Sequence, residues 1–365
     1  MRITLLGAGH IGNTIARLLG DSGDYEVTVV DRSAEALSKI STGARVTTRV
    51  ADTSQAATLL NVLRGQQAVI NALPYHLATL AATAAREARC HYFDLTEDVA
   101  ATRAIQALAE GAPTAFMPQC GLAPGFIGIV AHHLAQKFDT LQEVKMRVGA
   151  LPAFPTNALK YNLTWSVDGL INEYCHPCEA IRDGRNIEVL PLEGLEHFSL
   201  DGTEYEAFNT SGGLGTLTET LRGRVQSLDY KSVRYPGHQA LMKMLLEDLQ
   251  LNQDPETLKA IMRKSIPGTM QDVVLVFVTV SGMKGGALVQ EVFARKIFAD
   301  RSEANPLSAI QITTAAGICA AVDLFREGAL PQQGFIRQEQ VALPAFLANR
   351  FGRAYQQSRQ VESIG

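Results

Sequence analysis

The sequence predicts an α/β protein with a doubly wound parallel sheet and an inserted α+β domain whose sheet is mostly antiparallel. Two observations lead to this prediction. Short apolar runs alternate with amphipathic helical segments as far as Pro118, and this regular alternation stops after Gly125. Alternating strands and helices form parallel sheets, because each crossover helix returns the chain to the same edge of the sheet.

The first stretch of the chain has the strand, turn, helix, strand and acid of a dinucleotide-binding site. The strand Arg2–Leu6 leads into a glycine turn at 7–12, the helix Asn13–Leu19 follows, and the strand Val27–Val30 ends on Asp31. In such a turn the first glycine makes the bend, the second lets a pyrophosphate approach the backbone, and the third lets the helix lie against the sheet. The free N–H groups at the start of the helix then face the phosphates.

Two neighbouring residues bear on which dinucleotide the turn prefers. Asp31 follows Gly12 at about the spacing expected for a carboxylate that binds the adenosine ribose hydroxyls. A carboxylate there repels a 2′-phosphate, so NAD is the predicted cofactor, with NADP possible. Arg32 could stack on adenine, or it could hold that phosphate if Asp31 moved away.

The remaining elements of the first domain continue the alternation. The predicted helices are Ala34–Ile40, Gln55–Leu63, Tyr75–Ala88 and Val99–Glu110. The predicted strands between and after them are Ala44–Val50, Gln67–Leu73, His91–Leu95 and Thr114–Pro118. Two βαβαβ halves of this kind form a Rossmann-type fold.

Ligands of a Rossmann-type sheet lie outside the carboxyl ends of the strands, where the strand order reverses. The residues that directly follow each strand are therefore candidate site residues. Asp52, after the third predicted strand, is placed beside adenine, and residues 71–74, at the end of the fourth, are placed beside the nicotinamide half. The residues predicted to contact the cofactor are Gly7, Gly9, His10, Ile11, Gly12, Asp31, Arg32, Asp52, Asn71, Ala72, Leu73 and Pro74.

Side chains after three strands converge on the expected position of the nicotinamide ring. Tyr75 follows the fourth strand, Asp94 lies at the end of the fifth, and Cys120 follows the sixth. Asp94 and Tyr75 are the predicted catalytic residues. Asp94 and Thr96 could instead cap the helix that begins near Val99, and we expect Cys120 to be a buried thiol.

Beyond a hinge at Gly121–Gly125 the predicted elements belong to a second domain. Leu141–Gly149 alternates apolar and polar residues as a half-buried strand does, and Asp272–Ser281 and Ala287–Ala299 are longer strands joined by a glycine turn. The apolar helix Ala309–Phe325 is expected to pack back onto the first domain. The predicted domains are therefore 1–122 with 305–350 for the dinucleotide, and 123–304 for substrate binding and dimerisation.

The candidate substrate contacts in the second domain are Tyr161, Trp165, Thr210, Arg234 and His238. Trp165 opens a predicted helix, Thr210 lies in a glycine turn, and Arg234 could hold a substrate carboxylate through two parallel hydrogen bonds. From spacing alone, the simpler explanations are a surface ion pair for Arg234 and a packed ring at the core edge for His238.

The composition narrows the classes of partner. A chain of 365 residues, 46% of them hydrophobic and 19% charged, is typical of a globular protein with two domains. A net charge of -4 predicts neither nucleic acid nor an anionic membrane as partner. The longest apolar run, Val273–Val280, is too short to span a bilayer, and no signal peptide is expected at Met1. Five scattered cysteines predict a reducing, cytoplasmic setting, and the lone C-H-P-C segment at 175–178 predicts no metal site.

Four motifs resemble those of the saccharopine dehydrogenase family. They are G-L-A-P-G from Gly121, Y-N-x-x-x-S-x-x-G-L from Tyr161, E-A-F-N-T-S-G-G from Glu206 and R-Y-x-G-H from Arg234. The resemblance covers nearly the whole chain and is greatest to the lysine 6-dehydrogenase branch. Members of that branch, like this chain, have alanine at the position of Ala123, where saccharopine reductases usually show an acidic residue. The resemblance implies a homodimer or larger homo-oligomer.

The resemblance also implies a reaction, the NAD-dependent oxidative deamination of the terminal amine of L-lysine. The products are NADH and a 6-semialdehyde that cyclises to a piperideine carboxylate. In this interpretation Asp94 accepts the ammonium proton directly or through water, Tyr75 assists by hydrogen bonding, and Arg234 and His238 bind the α-carboxylate. One alternative is a saccharopine dehydrogenase or a related secondary-amine (opine-like) dehydrogenase. Another is a protein that senses NAD without turnover.

Overall fold

A computed structural model describes residues 1–300 and 306–356. The chain divides into two compact units. Unit 1 contains Met1–Ile129 and Thr313–Ala354, and unit 2 is built mainly from Val130–Ile312. The predicted domain limit at 304 and 305 lies outside the described residues.

The strands are short in unit 1 and longer in unit 2. In chain order they are β1 (Arg2–Leu6), β2 (Glu26–Asp31), β3 (Val46–Val50), β4 (Ala68–Asn71), β5 (His91–Asp94), β6 (Ala115–Met117), β7 (Thr140–Pro152), β8 (Cys178–Arg182), β9 (Arg185–Val189), β10 (Glu196–Leu200), β11 (Thr203–Asn209), β12 (Val225–Arg234), β13 (Asp272–Lys284), β14 (Ala287–Phe298) and β15 (Gly334–Phe335).

Helices connect most of these strands. In chain order they are α1 (His10–Asp21), α2 (Ala34–Ser38), α3 (Ala56–Leu63), α4 (Ala78–Ala88), α5 (Val99–Ala109), α6 (Phe126–Ala135), α7 (Val167–Cys175), α8 (Leu217–Thr220), α9 (His238–Lys243), α10 (Pro255–Ser265), α11 (Ala309–Arg326) and α12 (Leu343–Ala348). Short 3-10 or π turns occupy Tyr75–Leu77, Met244–Asp248, Gln338–Gln340 and Gly352–Gln356.

Unit 1 is built on a parallel sheet with the strand order β15-β6-β5-β4-β1-β2-β3. Its paired strands all run parallel. The strand order reverses between β1 and β4, and a Rossmann-type sheet binds its ligand at the carboxyl ends of the strands at such a point. The predicted parallel α/β sheet is thus confirmed. The strand β15 was not predicted, because two residues carry no readable pattern.

The helix α11 packs on the sheet of unit 1, as its apolar surface predicts. The ring centroid of Phe325 lies 4.6 Å from that of His91 and 5.3 Å from that of Phe93. Tyr25 Oη donates a 2.5 Å hydrogen bond to Asp323. By length and composition α11 could cross a membrane, but 83% of it is buried inside the protein.

Unit 2 contains an eight-stranded sheet with the path β10-β11-β12-β7-β13-β14, and β8 joins it through β12. All pairs are antiparallel except β7 with β12, so the predicted mostly antiparallel sheet is confirmed. The helices α7, α9 and α10 bury an apolar cluster with Phe208 of β11. The strands β8 to β12 were not predicted.

The predicted half-buried strand is the central strand β7, and one of its polar residues, Arg147, is fully buried. Arg147 is 1% exposed. It donates to Glu196, and its Nη1 donates to Asp229 Oδ1 at 2.5 Å. Lys231 Nζ donates to Glu196 at 2.8 Å. The alternation predicted solvent exposure for Arg147 and was wrong there, because opposite charges from other strands cover and pair with it.

Candidate cofactor and substrate sites

The glycine turn of unit 1 has the shape that a dinucleotide pyrophosphate needs. A Cβ on Gly7 would lie 2.7 Å from the Ala72 carbonyl oxygen, and a Cβ on Gly12 would clash with the Gly7 carbonyl. Gly9 is exposed, and a Cβ there would meet nothing within 4 Å. Gly9 also caps α1 without a side-chain hydrogen bond, which leaves N–H groups of the first turn open to phosphate. These residues fit a dinucleotide.

The side chains beside the turn mark the adenosine end. Asp31 Oδ2 accepts a 2.8 Å hydrogen bond from Ala8 N, and Oδ1 accepts one of 2.8 Å from Ser33 N. Arg32 and Asp52 are exposed, and hydrogen bonds within its own turn lower the pKa of Asp52. The carboxylate of Asp31 is therefore held in place by backbone donors. His10 is exposed and Ile11 is half-buried at the start of α1.

Asp94 lies at the end of β5 and is 0% exposed. Its Oδ1 accepts hydrogen bonds from Thr96 N at 3.0 Å and from Gln119 N at 2.8 Å. Its Oδ2 accepts one from Tyr92 Oη at 2.8 Å. Burial raises the pKa of this carboxyl to about 6. Because both oxygens are occupied, the geometry favours a positioning role for Asp94 over the predicted role of proton acceptor.

The residues after β4 extend this network. Asn71 Nδ2 donates to Tyr92 Oη at 3.2 Å, and Asn71 Oδ1 accepts from Leu73 N at 3.2 Å. Asn71 is buried, whereas Pro74 is exposed and Tyr75 is half-buried. Tyr75 begins a 3-10 turn that precedes α4, where a single helix was predicted. The catalytic role of Tyr75 stays a prediction.

Glu97 is a third acidic candidate, and no sequence pattern singled it out. It lies three residues beyond Asp94 and is half-buried. Burial, together with the charges of Asp98 and Asp94, raises the pKa of its carboxyl to about 7. No other residue in the described part of the chain donates a hydrogen bond to the Glu97 carboxylate.

Replacing Asp94 by asparagine is expected to preserve the fold and to weaken the pH dependence of stability. An amide keeps the acceptor for Thr96 and Gln119 and can donate to Tyr92 Oη. The folded-state pKa of about 6 lies above the ordinary 3.8, so this carboxyl binds its proton more tightly in the folded chain. Its contribution to the free energy of unfolding therefore falls by about 2–3 kcal/mol as the pH rises from about 4 to about 6.

Unfolding of both chains at acidic and neutral pH checks this expectation. The free energy of unfolding should fall less for Asp94→Asn than for the native chain as the pH rises through that range. Equal falls would show that the Asp94 carboxyl titrates in the folded chain as it does in the unfolded one.

Arg234 is buried in unit 2 with no carboxylate in ion-pair contact, although the charge of Glu173 acts on it and raises its pKa. Its side chain is 3% exposed, and within the described residues it forms no ion pair. Nε donates to Tyr174 Oη at 2.9 Å, Nη1 donates to the Val233 carbonyl at 2.8 Å, and Cζ lies 5.3 Å from the centre of the Tyr161 ring. Arg234 is therefore not the surface ion pair that its spacing allowed, and an unpaired buried cation is costly unless a ligand pairs with it.

His238 is hydrogen-bonded to Tyr174, which in turn accepts a hydrogen bond from Arg234. Its Nδ1 lies 2.9 Å from the Leu159 carbonyl, and its Nε2 lies 3.1 Å from Tyr174 Oη. Burial and the charge of Arg234 lower the pKa of the imidazole to about 3, so the ring is neutral. Nδ1 then donates to Leu159, and Nε2 accepts from Tyr174. With both nitrogens used, His238 supports Arg234, and the geometry does not favour the predicted contact with a carboxylate.

Unit 2 contains buried polar atoms that have no close hydrogen-bond partner. Within the described part of unit 2 these are Tyr161 Oη, Asn162 Oδ1, Thr164 Oγ1 and Asn172 Oδ1. The ring of Tyr161, one of these residues, lies 5.3 Å from Arg234 Cζ, and a bound polar ligand would satisfy such atoms.

The other two predicted substrate residues already have protein partners. Trp165 packs half-buried against the apolar cluster of unit 2, and Thr210 Oγ1 is hydrogen-bonded to Ser232 Oγ at 2.8 Å. Their substrate contacts stay predictions. Among the described residues, no group of three or more His, Cys, Asp or Glu side chains could hold a metal ion.

Comparison with known families assigns both parts of the chain. Residues 3–116 match the saccharopine dehydrogenase NADP binding domain, and residues 121–350 match the saccharopine dehydrogenase C-terminal domain. The chain belongs to the saccharopine dehydrogenase family. Members of this family are NAD(P)-dependent amino-acid oxidoreductases that act on CH–NH or CH–NH2 donors.

Curated relatives of this saccharopine dehydrogenase family member are longer than it is. The mitochondrial alpha-aminoadipic semialdehyde synthase of Rattus norvegicus is 20% identical over 325 residues, which cover 83% of this chain and 34% of that protein. The Mus musculus protein is 21% identical over 326 residues, with the same coverage of 83% and 34%. The chain thus spans about a third of the length of these relatives.

Solved structures share the fold of this family member over nearly its whole length. Apo saccharopine dehydrogenase (L-Glu forming) from Saccharomyces cerevisiae has a TM-score of 0.78 at 16% identity and covers 94% of this chain and 96% of its own. The homospermidine synthase from Legionella pneumophila in complex with NAD has a TM-score of 0.68 at 14% identity and covers 97% and 89%. At these identities the likeness shows the fold.

The structure of this saccharopine dehydrogenase family member brings some predicted residues together and adds others. Tyr161, Arg234 and His238 form one cluster, and Tyr174 joins them. The apolar period of α7 marks Tyr174 as a core residue, so the sequence carries no signal for its hydroxyl. The left-handed φ of 66° at Gln119, which positions its N–H toward Asp94, likewise has no sequence signal.

Proposed function

We propose that this chain is an NAD-dependent lysine 6-dehydrogenase. It oxidises the terminal C–N bond of L-lysine, releases ammonia, and forms the 6-semialdehyde that cyclises to a piperideine carboxylate. The dinucleotide, when bound, supplies the hydride acceptor. The chain's own residues hold the α-carboxylate at Arg234 and deprotonate the terminal amine.

One observation carries the choice of substrate. The buried arginine and lysine side chains described in unit 2 are Arg147, Lys231 and Arg234. Arg147 pairs with Glu196 and Asp229, and Lys231 pairs with Glu196. Arg234 alone among these three has no carboxylate partner.

A single unpaired buried cation suits a substrate with a single carboxylate. L-lysine has one carboxylate, whereas saccharopine, its adduct with glutamate, has three. Tyr161, whose ring lies beside Arg234 and whose hydroxyl is buried, also supports a ligand here, which a protein that only senses NAD would not need. Asp31 supports NAD over NADP by charge repulsion of a 2′-phosphate.

The experiment is a screen for reduced dinucleotide with NAD or NADP and one substrate at a time: L-lysine, L-ornithine or saccharopine. The proposal expects NADH from NAD and L-lysine alone. Reduction that requires saccharopine would establish the sister activity of the family. Thermal stabilisation by NAD without reduction of the dinucleotide by any substrate would favour the sensor.

We further infer a homodimer formed through β14. This edge strand runs over 12 residues, pairs only with β13 among the described strands, and exposes Leu288 and Val292 by 65% and 51%. A long exposed edge of this kind presents unpaired backbone N–H and C=O groups that another strand can pair with. Two copies of β14 running antiparallel about Phe293 place Glu291 opposite Arg295, which has no ion-pair partner in the described chain. A second copy therefore fits the edge.

Replacing Arg295 by glutamate is expected to shift the chain from dimer to monomer, since like charges would then face each other across the pair. Light scattering during size-exclusion chromatography measures the mass. A native chain that is monomeric at micromolar concentration would refute the dimer.

The five cysteines are free thiols, which supports the proposal of a reducing, cytoplasmic setting.

A further inference from the structure

We propose that Glu97 is the group that accepts the proton of the substrate ammonium. The inference rests on the proposed amine oxidation and assigns its base, a role that the sequence pattern gave to Asp94. Oxidation at carbon requires a free lone pair on nitrogen, so the ammonium must lose a proton to some group before the carbon loses its hydride.

Glu97 lies at the edge of the sheet that serves the nicotinamide end. The strand β5 stands between β4 and β6 and ends at Asp94. In a sheet of this order the second half binds the nicotinamide nucleotide outside the carboxyl ends of its strands. The segment Leu95–Asp98 follows β5 directly at that edge and leads into α5.

The other two nearby carboxylates, Asp94 and Asp98, already accept hydrogen bonds within the protein. Asp94 accepts three hydrogen bonds and is 0% exposed. Asp98 caps α5, because its Oδ1 accepts a 2.7 Å hydrogen bond from Ala101 N. Glu97 is half-buried and accepts none from any other described residue. Its carboxylate is therefore the one of these three that can take up a proton from a ligand.

The surroundings of Glu97 also suit the task. Burial, together with the negative charges of Asp98 and Asp94, holds the pKa of its carboxyl at about 7. A general base works best when its pKa lies near the operating pH. The same two carboxylates attract a cationic ammonium to this place. Position, charge and the absence of donors from other described residues thus agree.

The proton step balances without any further reactant. The ammonium N–H bond breaks, its electron pair stays on nitrogen as the lone pair, and an O–H bond forms on Glu97. The substrate becomes a neutral amine and Glu97 a neutral acid. Because Glu97 is only half-buried, its proton can pass to solvent and the carboxylate is restored for the next turnover.

The decisive variant is Glu97→Gln, with Glu110→Gln as its matched control. The Glu110→Gln substitution makes the same chemical change at an exposed residue, at the far end of α5. On L-lysine with NAD, Glu97→Gln is expected to lower kcat by about 100- to 1000-fold. Its NADH affinity and melting temperature should equal those of the control. The acidic limb of the pH profile of kcat/KM near neutral pH should disappear, and Glu97→Asp should recover part of the rate.

A second measurement does not depend on turnover. In the native chain labelled with ¹³C at the glutamate side-chain carboxyls, one resonance should titrate near neutral pH, and Glu110→Gln should keep it. Near-native turnover by Glu97→Gln, or no glutamate that titrates near neutral pH, would overturn the role of Glu97 and leave the proposed function intact. A native chain that oxidises no amine would instead refute the proposed function, and the role of Glu97 with it.

Discussion

Replacing Arg234 by methionine is expected to abolish productive binding of the amino acid and to make the folded chain more stable. The guanidinium is buried with no carboxylate in ion-pair contact, and its loss removes the charge that we propose pairs with the substrate. Losing a buried, charge-assisted contact of this kind costs about 2–5 kcal/mol, so KM for L-lysine should rise at least about 30-fold. NADH affinity should not change, because Arg234 lies in unit 2.

The stability effect distinguishes a ligand-binding arginine from a structural one. An apolar side chain of similar size in place of an unpaired buried charge is expected to raise the free energy of unfolding by about 1–4 kcal/mol. The matched control is Arg147→Met in the same sheet. That variant leaves Asp229 without its cation and leaves Glu196 with Lys231 alone, so it should lose about 3 kcal/mol.

Denaturant unfolding and steady-state kinetics on the two variants give both quantities. Opposite signs of the stability change, with KM raised only in Arg234→Met, fit a carboxylate site at Arg234. A destabilised Arg234→Met chain with an unchanged KM would mean that Arg234 serves the fold and that the carboxylate binds elsewhere.

The second large effect is expected at Gly9, where valine should abolish dinucleotide binding and leave the fold intact. The backbone there is extended, with φ -71° and ψ -174°, so a side chain is tolerated. A Cβ would enter space that is empty of protein within 4 Å and that the pyrophosphate must approach. NADH affinity should fall at least about 100-fold, and the free energy of unfolding should change by no more than about 1 kcal/mol.

Substitutions at two other glycines serve as controls for this expectation. Gly43 is also exposed, with nothing within 4 Å of its Cβ position, but it precedes β3 at the amino end of the sheet. Gly43→Val should therefore leave NADH affinity unchanged. Gly12→Ala should instead unfold part of the domain, because its Cβ clashes with a backbone carbonyl. NADH affinity is measured by fluorescence titration. A native affinity in Gly9→Val would show that the dinucleotide binds away from this turn.

The parallel half of the fold could be predicted because its signals are local. The strands β1 and β2 and the turn between them are read directly from apolar runs and glycine spacing. The strands β8 to β12 could not be read, because their burial depends on distant partners. Arg147, for example, is buried only because Glu196, far along the chain, reaches it. No window of sequence contains both residues.

The candidate site divides in the same way. The sequence motifs selected Tyr161, Arg234 and His238 as separate candidates, and the glycine spacing identified the turn that fits a dinucleotide. Spacing could not show that Asp94 directs its oxygens into the protein, since that depends on Gln119 and its left-handed backbone. Nor could it show that no other described residue donates a hydrogen bond to the Glu97 carboxylate. The hydrogen bonding of both carboxylates depends on which donors the folded chain brings near them. Residue spacing does not reveal those donors.

The most direct test of the account follows the nitrogen atom. With L-lysine as the sole amine and NAD as oxidant, ammonia and NADH are measured in the same reaction. Oxidative deamination predicts one ammonia for each NADH and no other nitrogen-bearing product of the terminal amine. NADH that forms without ammonia, or only when saccharopine is supplied and glutamate is released, would contradict it.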